Sequence, residues 1–299
     1  MKVIRLHSPA KINLGLWVGR KRADGYHELV TIMVPLEFGD RIRLEKTGGG
    51  ICVKTTGINL NIPERANLAY RAAGLFFTAT GISGGCRIFI KKNIPPGGGL
   101  GGGSSNAATV LLGLNYLFDH PLNPAQLTRL ARELGSDVPF FLQPKPCVAR
   151  GRGEKLRPLT LPALRIVLYC PGFGISTRWA YERLDRHKKK LTTGRFCPKI
   201  IALKLRRKEP AGLAELIRNS FETVVFRRYP ELAKIKKQLL ESGMVAAGLT
   251  GSGSTVYGLQ YATDPMAEWL HSGLPWIITR SRPSTLSGAG TISGIWGVV

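Results

Sequence analysis

Pro95-Pro96-Gly97-Gly98-Gly99-Leu100-Gly101-Gly102-Gly103-Ser104-Ser105 is the stretch on which the fold turns. Six glycines in the seven positions from Gly97 to Gly103 add no side chains to a core. They let backbone N–H groups approach a bulky anion closely, in φ/ψ regions other residues avoid. Downstream, Ser104-Ser105-Asn106 supplies N-cap chemistry, and Ala107, Val110, Leu111, Leu114, Leu117 and Phe118 recur at helical spacing. Upstream, Cys86 to Ile90 reads as an apolar strand. A flexible linker would not be bracketed by a strand and a capped amphipathic helix. A glycine loop feeding a helix N-terminus is a phosphate site, because orphan N–H groups and the positive dipole end converge there.

Two standard phosphate loops are excluded. A Walker A loop needs a lysine directly after its last glycine, and none follows here. Spacing alone gives a dinucleotide fingerprint (Gly97, Gly99, Gly102) with Asp119 downstream. Asp119, however, ends the same helix, and no second strand carries it to a ribose.

The chain has 299 residues, 43% of them hydrophobic, enough for one large or two medium domains. Lys plus Arg number 43 against 19 Asp plus Glu, a formal net charge of +24. That implies attraction to polyanions and does not choose among nucleotides, nucleic acid and membrane surfaces. The five cysteines are odd in number and form no C-x-x-C pair, which points to a reducing compartment without disulfide or metal roles. The N-terminus carries no signal-peptide pattern, and no apolar run reaches the ~20 residues of a membrane span. A cytoplasmic protein is expected.

In order, Lys2 to Leu6 reads as a strand, Ser8 to Asn13 as a turn or bulge, and Leu14 to Val18 as a second strand. Leu29 to Leu36 and Arg41 to Leu44 are strands separated by a turn at Phe38-Gly39-Asp40. Thr47 to Gly50 is expected to be a hairpin turn into Ile51 to Thr55. Asn67 to Thr80 and Pro124 to Leu134 read as helices, the second closed by Gly135. Cys147 to Glu154 is a strand and turn, and Leu164 to Cys170 a buried strand. Trp179 to Leu184, Leu213 to Arg228 and Pro230 to Ser242 are expected helices, while Arg186 to Glu209 is basic and poorly periodic. A second glycine turn, Thr250 to Ser254, enters a strand. Asp137, beside a helix end and followed by apolar residues, reads from spacing as an N-cap or a structural ion pair.

Three separated features line up: SPAKIN (Ser8 to Asn13), PPGGGLGGGSSNAA (Pro95 to Ala108) and LTGSGSTV (Leu249 to Val256). Together they resemble the GHMP kinase superfamily, whose phosphate loop is glycine- and serine-rich and not a Walker A. ADGYHEL (Ala23 to Leu29), LGSDVPFFL (Leu134 to Leu142) and WGV (Trp296 to Val298) tighten the match toward its branch acting on a cytidyl-diphospho sugar alcohol. The resemblance implies an α+β, two-domain fold. Residues 1–160 would form an N-terminal, ATP-phosphate-binding domain like domain 2 of ribosomal protein S5, and residues 161–299 a ferredoxin-like C-terminal domain.

It also implies roles. Lys11 and Asp137 match the catalytic pair, which moves Asp137 from structural to catalytic. Pro95 to Ser105 would bind ATP, Ser104 and Ser105 supplying hydroxyls for phosphate or Mg²⁺, though an N-cap serves equally for one of them. Asn13, Tyr26, His27, Thr177 and Tyr181 are the expected substrate contacts, with Tyr26 and Tyr181 on opposite faces of the cytosine ring and His27 at its edge. ATP and Mg²⁺ are implied; metal ligands are not assigned. No dedicated nucleic acid or membrane partner is expected, and a monomer or weak homodimer is. Gly174 to Thr177 reads GIST where the family often has a proline before the threonine. The alternatives are another GHMP kinase, of homoserine or mevalonate type, and a basic nucleic-acid-binding protein motivated by charge alone.

Overall fold

The computed structural model describes residues 2–187, 196–265 and 276–282. Residues 188–195, with Lys188 to Lys190 of the basic segment, and the Trp296 to Val298 motif lie outside the described residues. Two long strands, β1 (Val3–Lys21) and β2 (His27–Thr47), pair antiparallel and form the spine of the first sheet. Strands β3 (Gly50–Gly57), β4 (Gly85–Lys92), β5 (Cys147–Gly151) and β6 (Lys155–Pro158) complete it in the order β3-β4-β2-β5-β6, with β1 on β2.

The sequence reads both long strands as broken, and the structure corrects this. Pro9 falls where the ladder shifts register, between the Pro9–Gly39 and Lys11–Pro35 pairs, so a residue without an N–H is tolerated there. Gly39 faces Pro9, and a Cβ on it would lie 2.4 Å from the Ser8 carbonyl oxygen. It permits strand approach and marks no turn. Nor do Thr47 to Gly50 close a hairpin: β3 pairs parallel with β4, which lies between β3 and β2. The parallel pair is joined by a crossover through α1 (Leu68–Thr80), whose N-cap Asn67 accepts from the Ala69 N–H.

Helices α1, α2 (Gly102–Leu117), α3 (Pro124–Leu134) and α4 (Val138–Leu142) cover one face of this sheet. Ile4, Leu6, Ile42, Leu44, Ile88 and Ile90 alternate onto that face and meet Phe76, Leu111, Leu114 and Phe140. The second sheet, from β7 (Leu164–Tyr169), β8 (Ala246–Leu249), β9 (Val256–Tyr261) and β10 (Trp276–Arg280), is wholly antiparallel in the order β10-β7-β9-β8. That is the ferredoxin-like strand order. Helices α5 (Thr177–His187), α8 (Glu222–Arg228) and α9 (Pro230–Glu241) pack over its Val167 and Val256. Ile166, Leu168 and Leu259 turn the other way, toward Ile12, Leu14 and Val34 of the long strands and α6 (Pro198–Arg207) and α7 (Leu213–Leu216). Burial on both faces is why Leu164 to Cys170 reads as an unbroken apolar run.

Two further expectations are corrected. The segment from Arg186 to Glu209 contains α6, which buries Ile201 and Leu205. Leu213 to Arg228 is two helices, because Asn219 is pulled out of helical pairing. Its Nδ2 donates to the Leu249 and Gly251 carbonyls and its Oδ1 accepts from the Phe221 N–H.

A buried ion pair sets the path from β4 into the glycine loop. Asp40, fully buried, accepts from Lys92 Nζ at 2.6 Å and from the backbone N–H groups of Asn93 and Ile94 at 2.7 and 2.8 Å. Removing one partner leaves a buried charge uncompensated. Asp40→Ala is therefore expected to lower unfolding free energy by about 3–5 kcal/mol, read as a shifted urea midpoint at unchanged m-value.

Candidate active site

Gly97, Gly99 and Gly101 all lie in the left-handed region, with φ of 67°, 76° and 72°. A Cβ on Gly99 would sit 2.1 Å from the Thr250 carbonyl oxygen, and one on Gly101 2.8 Å from Phe141 Cζ. The carbonyls of Gly97, Gly98, Gly99 and Leu100 accept from Ile175 N, Thr255 N, Thr250 Oγ1 and Lys11 N at 3.0–3.3 Å. The loop is thus held from outside by its carbonyls. At its end α2 starts with Gly101 as N-cap and no side-chain cap, so the first-turn N–H groups of Gly102, Gly103 and Ser104 have no intrahelical acceptor.

Ser104, Ser105 and Asn106 are therefore inside the helix and do not cap it. Ser104 lines the cleft in front of the loop. Ser105 does not: it is fully buried, with its hydroxyl 2.8 Å from Ser8 Oγ, which donates to Asn106 Oδ1 at 2.7 Å. Its side chain braces the helix start against β1 and is turned away from the cleft.

The cleft has a volume of about 1060 Å³ and is lined by every other residue singled out in the sequence as a site candidate. Lys11 reaches it from β1. Its ammonium is almost wholly buried, donates to Asn13 Oδ1 at 2.6 Å and lies 3.6 Å from Asp137 Oδ2. Asn13 Nδ2 passes the chain on to Thr31 Oγ1 at 3.0 Å, and Thr31 donates to the Gly15 carbonyl at 2.6 Å. Burial pulls the Lys11 ammonium below its ordinary range, and the Asp137 carboxylate opposes that shift. Asp137 stands at the N-cap position of α4 without making a cap bond, its side chain 37% exposed. The carboxylate is thus open to the cleft.

Another part of the lining is aromatic. Tyr26 is half exposed, with the Arg152 guanidinium 4.7 Å from its ring centre. Tyr181 projects from α5, and the His27 ring lies parallel to it, 4.9 Å between centroids at 17°. Phe221 meets Tyr181 edge-on at 4.9 Å. Burial first, then the Asp137 and Asp185 carboxylates, push the Tyr181 phenol up to about 12. Thr177 opens α5 with its hydroxyl 3.0 Å from Ser252 Oγ in the second glycine turn.

Three cleft residues escaped the sequence reading. Asp185 Oδ1 lies 2.8 Å from His27 Nε2. Its position four residues after Tyr181 puts both on one face of α5, a signal that was available. Arg152 arrives in the turn after β5, and Lys92 at the base of the loop, its ammonium where a Cβ on Gly102 would approach to 2.8 Å. No spacing rule points to either. Lys11, Lys21, Lys92, Arg152 and Arg178 line the cleft against Asp137, Glu182 and Asp185, a cationic surround suited to phosphates.

An uncapped helix start behind a glycine loop, facing a Lys–Asp pair across an aromatic-walled cleft, defines a small-molecule phosphotransferase of the GHMP type. Residues 67–144 match the family model of the GHMP kinases N terminal domain and residues 201–264 that of the GHMP kinases C terminal. The chain is 42% identical over 259 residues to the 4-diphosphocytidyl-2-C-methyl-D-erythritol kinase of Pelotomaculum thermopropionicum, covering 86% of this chain and 89% of that one. With the enzyme of that name from Thermus thermophilus it shares 39% identity over 288 residues, 96% and 98% of the two chains. A crystal structure of 4-(cytidine 5'-diphospho)-2C-methyl-D-erythritol kinase is similar at a TM-score of 0.79 and 38% identity, over 93% of this chain and 99% of that one. The chain belongs to the 4-diphosphocytidyl-2-C-methyl-D-erythritol kinase family of GHMP kinases.

Proposed function

We infer that the chain transfers the γ-phosphoryl group of ATP to the 2-hydroxyl of 4-diphosphocytidyl-2-C-methyl-D-erythritol, a step of non-mevalonate isoprenoid precursor synthesis. The observation that carries this reading is the Lys11–Asp137 pair, 3.6 Å apart in the same cleft as the open N-terminus of α2. A sugar-alcohol hydroxyl is a poor nucleophile until its proton is removed. Asp137 accepts that proton, and Lys11 orients the carboxylate and favours the developing alkoxide. The Gly102, Gly103 and Ser104 N–H groups face the transferring phosphoryl group, where their fixed dipoles need no reorganisation. Asn13 and Thr31 hold the Lys11 ammonium in register.

Leu60, Ile62 and Leu68 also line the cleft, and we assign this apolar lining to the adenine of ATP. Mg²⁺ usually takes one or two carboxylates plus phosphate oxygens and water. Among the described residues there is no cluster of three His, Cys, Asp or Glu side chains for a metal; the Ser104 hydroxyl in the cleft would hold the ion together with phosphate oxygens and water. When bound, the ion would neutralise charge on the phosphates. Residues 1–160 and 161–299 serve as the two domains. The chain is expected to act as a monomer or weak homodimer. Among the described residues no helix is long and apolar enough to cross a membrane.

Coupled measurement of ATP consumption tests the function. Turnover is expected with the cytidyl-diphospho substrate and not with homoserine or mevalonate; the reverse preference would discard this reading. A second test addresses Asp185, which holds His27 against Tyr181. Asp185→Ala is expected to raise KM for the cytidyl substrate roughly 5- to 30-fold, about 1–2 kcal/mol for a lost charge-assisted hydrogen bond, with kcat and ATP KM little changed. Asp185→Asn should keep most of the affinity, since its amide oxygen still accepts from Nε2–H. Equal losses in both variants would assign the role to charge instead.

A further inference from the structure

The kinase site uses little of the +24 charge, and part of the remainder is concentrated on one surface. Ile4, Leu6, Ile42, Leu44, Ile88 and Ile90 face the helices, so the intervening residues of β1, β2, β4 and β3 form the opposite, outer face of the first sheet. The register runs Arg5, Arg43, Phe89, Lys54 straight across four strands. In the next row Arg41 pairs with Lys91, and in the row on the other side Arg87 pairs with Glu45. Six cations therefore share this face with one carboxylate, and Glu45 is already engaged by Arg43 at 3.1 Å and Arg87 at 3.8 Å. Among the described residues, no acid pairs within 4 Å of Arg5, Arg41, Lys54 or Lys91, and all four are exposed. At the edge, burial first and then Arg282 and Arg41 hold His7 neutral, its pKa lowered to about 4.

Strands lie about 4.8 Å apart and same-face residues about 6.7 Å apart along a strand, so the cations form a grid on the order of 14 Å across. At its centre the Arg43 guanidinium lies 4.1 Å from the Phe89 ring centre, with a further bond to Glu45 fixing its plane. A planar cation backed by an aromatic ring is a stacking surface for a nucleobase, and the surrounding point charges suit phosphodiesters. A membrane surface would call for projecting apolar side chains, and among the described residues the only large ones here are Val3 at the margin and the half-buried Phe89.

We propose that the outer face of the β3-β4-β2-β1 sheet binds single-stranded RNA, with Arg5, Arg41, Lys54, Arg87 and Lys91 on the phosphates and Arg43–Phe89 under a base. This replaces the expectation that the charge has no nucleic-acid partner, and it stands independently of the kinase reading.

Fluorescence anisotropy with a labelled 20-nucleotide oligo(U) tests it on the full chain across a salt series. Two triple variants carry the same charge change: Arg5→Glu, Arg41→Glu, Lys91→Glu on the face, and Lys199→Glu, Lys234→Glu, Lys237→Glu on α6 and α9. The face variant is expected to bind at least tenfold more weakly at 100 mM salt, with a log–log salt slope shallower by about 2, from roughly 0.7 for each phosphate no longer neutralised. The control should stay within about threefold of wild type, and both should keep kinase kcat/KM. Should the Glu variant fail to fold, Arg5→Gln, Arg41→Gln, Lys91→Gln gives the same slope test. Equal weakening by face and control sets, no saturable oligo(U) binding by wild type, or tighter binding of phosphatidylglycerol vesicles through this face would each overturn the proposal.

Discussion

Asp137→Asn is expected to lower kcat at least ~10²-fold while leaving the KM for ATP nearly unchanged, because a positioned general base contributes about 10²–10⁴. The substitution is close to isosteric and makes no cavity. Asp137 makes no cap bond in α4, so no helix start depends on its charge. What changes is the ability to take a proton, together with the negative charge opposite the buried Lys11 ammonium. Lys11→Met is expected to cost a similar factor, since the ammonium holds the carboxylate from 3.6 Å and is itself fixed by Asn13. The pair acts as a unit, so the double variant should lose little more than either single one. Steady-state kinetics on purified, folded protein decide the matter. Near-wild-type kcat for Asp137→Asn would remove the base assignment, and additive losses in the double variant would separate the two roles.

Which parts of this site could be read in the sequence follows from how local their causes are. The glycine loop was legible because left-handed φ at Gly97, Gly99 and Gly101 is a single-residue requirement. The Lys11–Asp137 pair was not legible from spacing. The two stand far apart in the chain and meet only because β1 passes under the loop, with Lys11 N donating to the Leu100 carbonyl. Residue chemistry left Asp137 as a cap or an ion pair, and only the family resemblance turned it into a base. The capping error has a related source. Ser104 and Ser105 are good N-caps in isolation, but the pinned carbonyls of Gly97 to Leu100 let the helix start ahead of them, at Gly102. Likewise the breaks at Pro9 and Gly39 are real local signals, outweighed by a ladder that places the two opposite one another. His27 was expected at the edge of the bound base. Its ring lies flat on Tyr181, anchored by Asp185, a long-range contact of which the sequence shows only that Tyr181 and Asp185 share a face of α5.

Tyr26→Ala and Tyr181→Ala are each expected to raise KM for the cytidyl substrate roughly 5- to 150-fold, with ATP KM little changed, since stacking on an aromatic is worth ~1–3 kcal/mol per base. A cytosine ring is flat and weakly hydrophobic, so selecting it needs aromatic faces plus hydrogen bonds to its polar edge. Tyr26, on the loop before β2, and Tyr181, on α5, line one cleft from the two halves of the molecule. Tyr26 offers an exposed ring with the Arg152 guanidinium beside it, well placed for the diphosphate that follows the nucleoside. The larger effect should come at Tyr181. Its removal also takes the stacking partner from His27 and the edge contact from Phe221, so the whole wall loosens. Phe at position 181 should retain most of the affinity. With its pKa pushed up to about 12 the phenol stays neutral at physiological pH, and the ring face does the stacking. Tyr26→Phe should behave the same way. Isothermal titration with the cytidyl substrate, alongside thermal melts to exclude unfolding, separates these outcomes. If both alanine variants bind that substrate as tightly as wild type, the two tyrosines do not form the base slot and the substrate assignment loses its structural support.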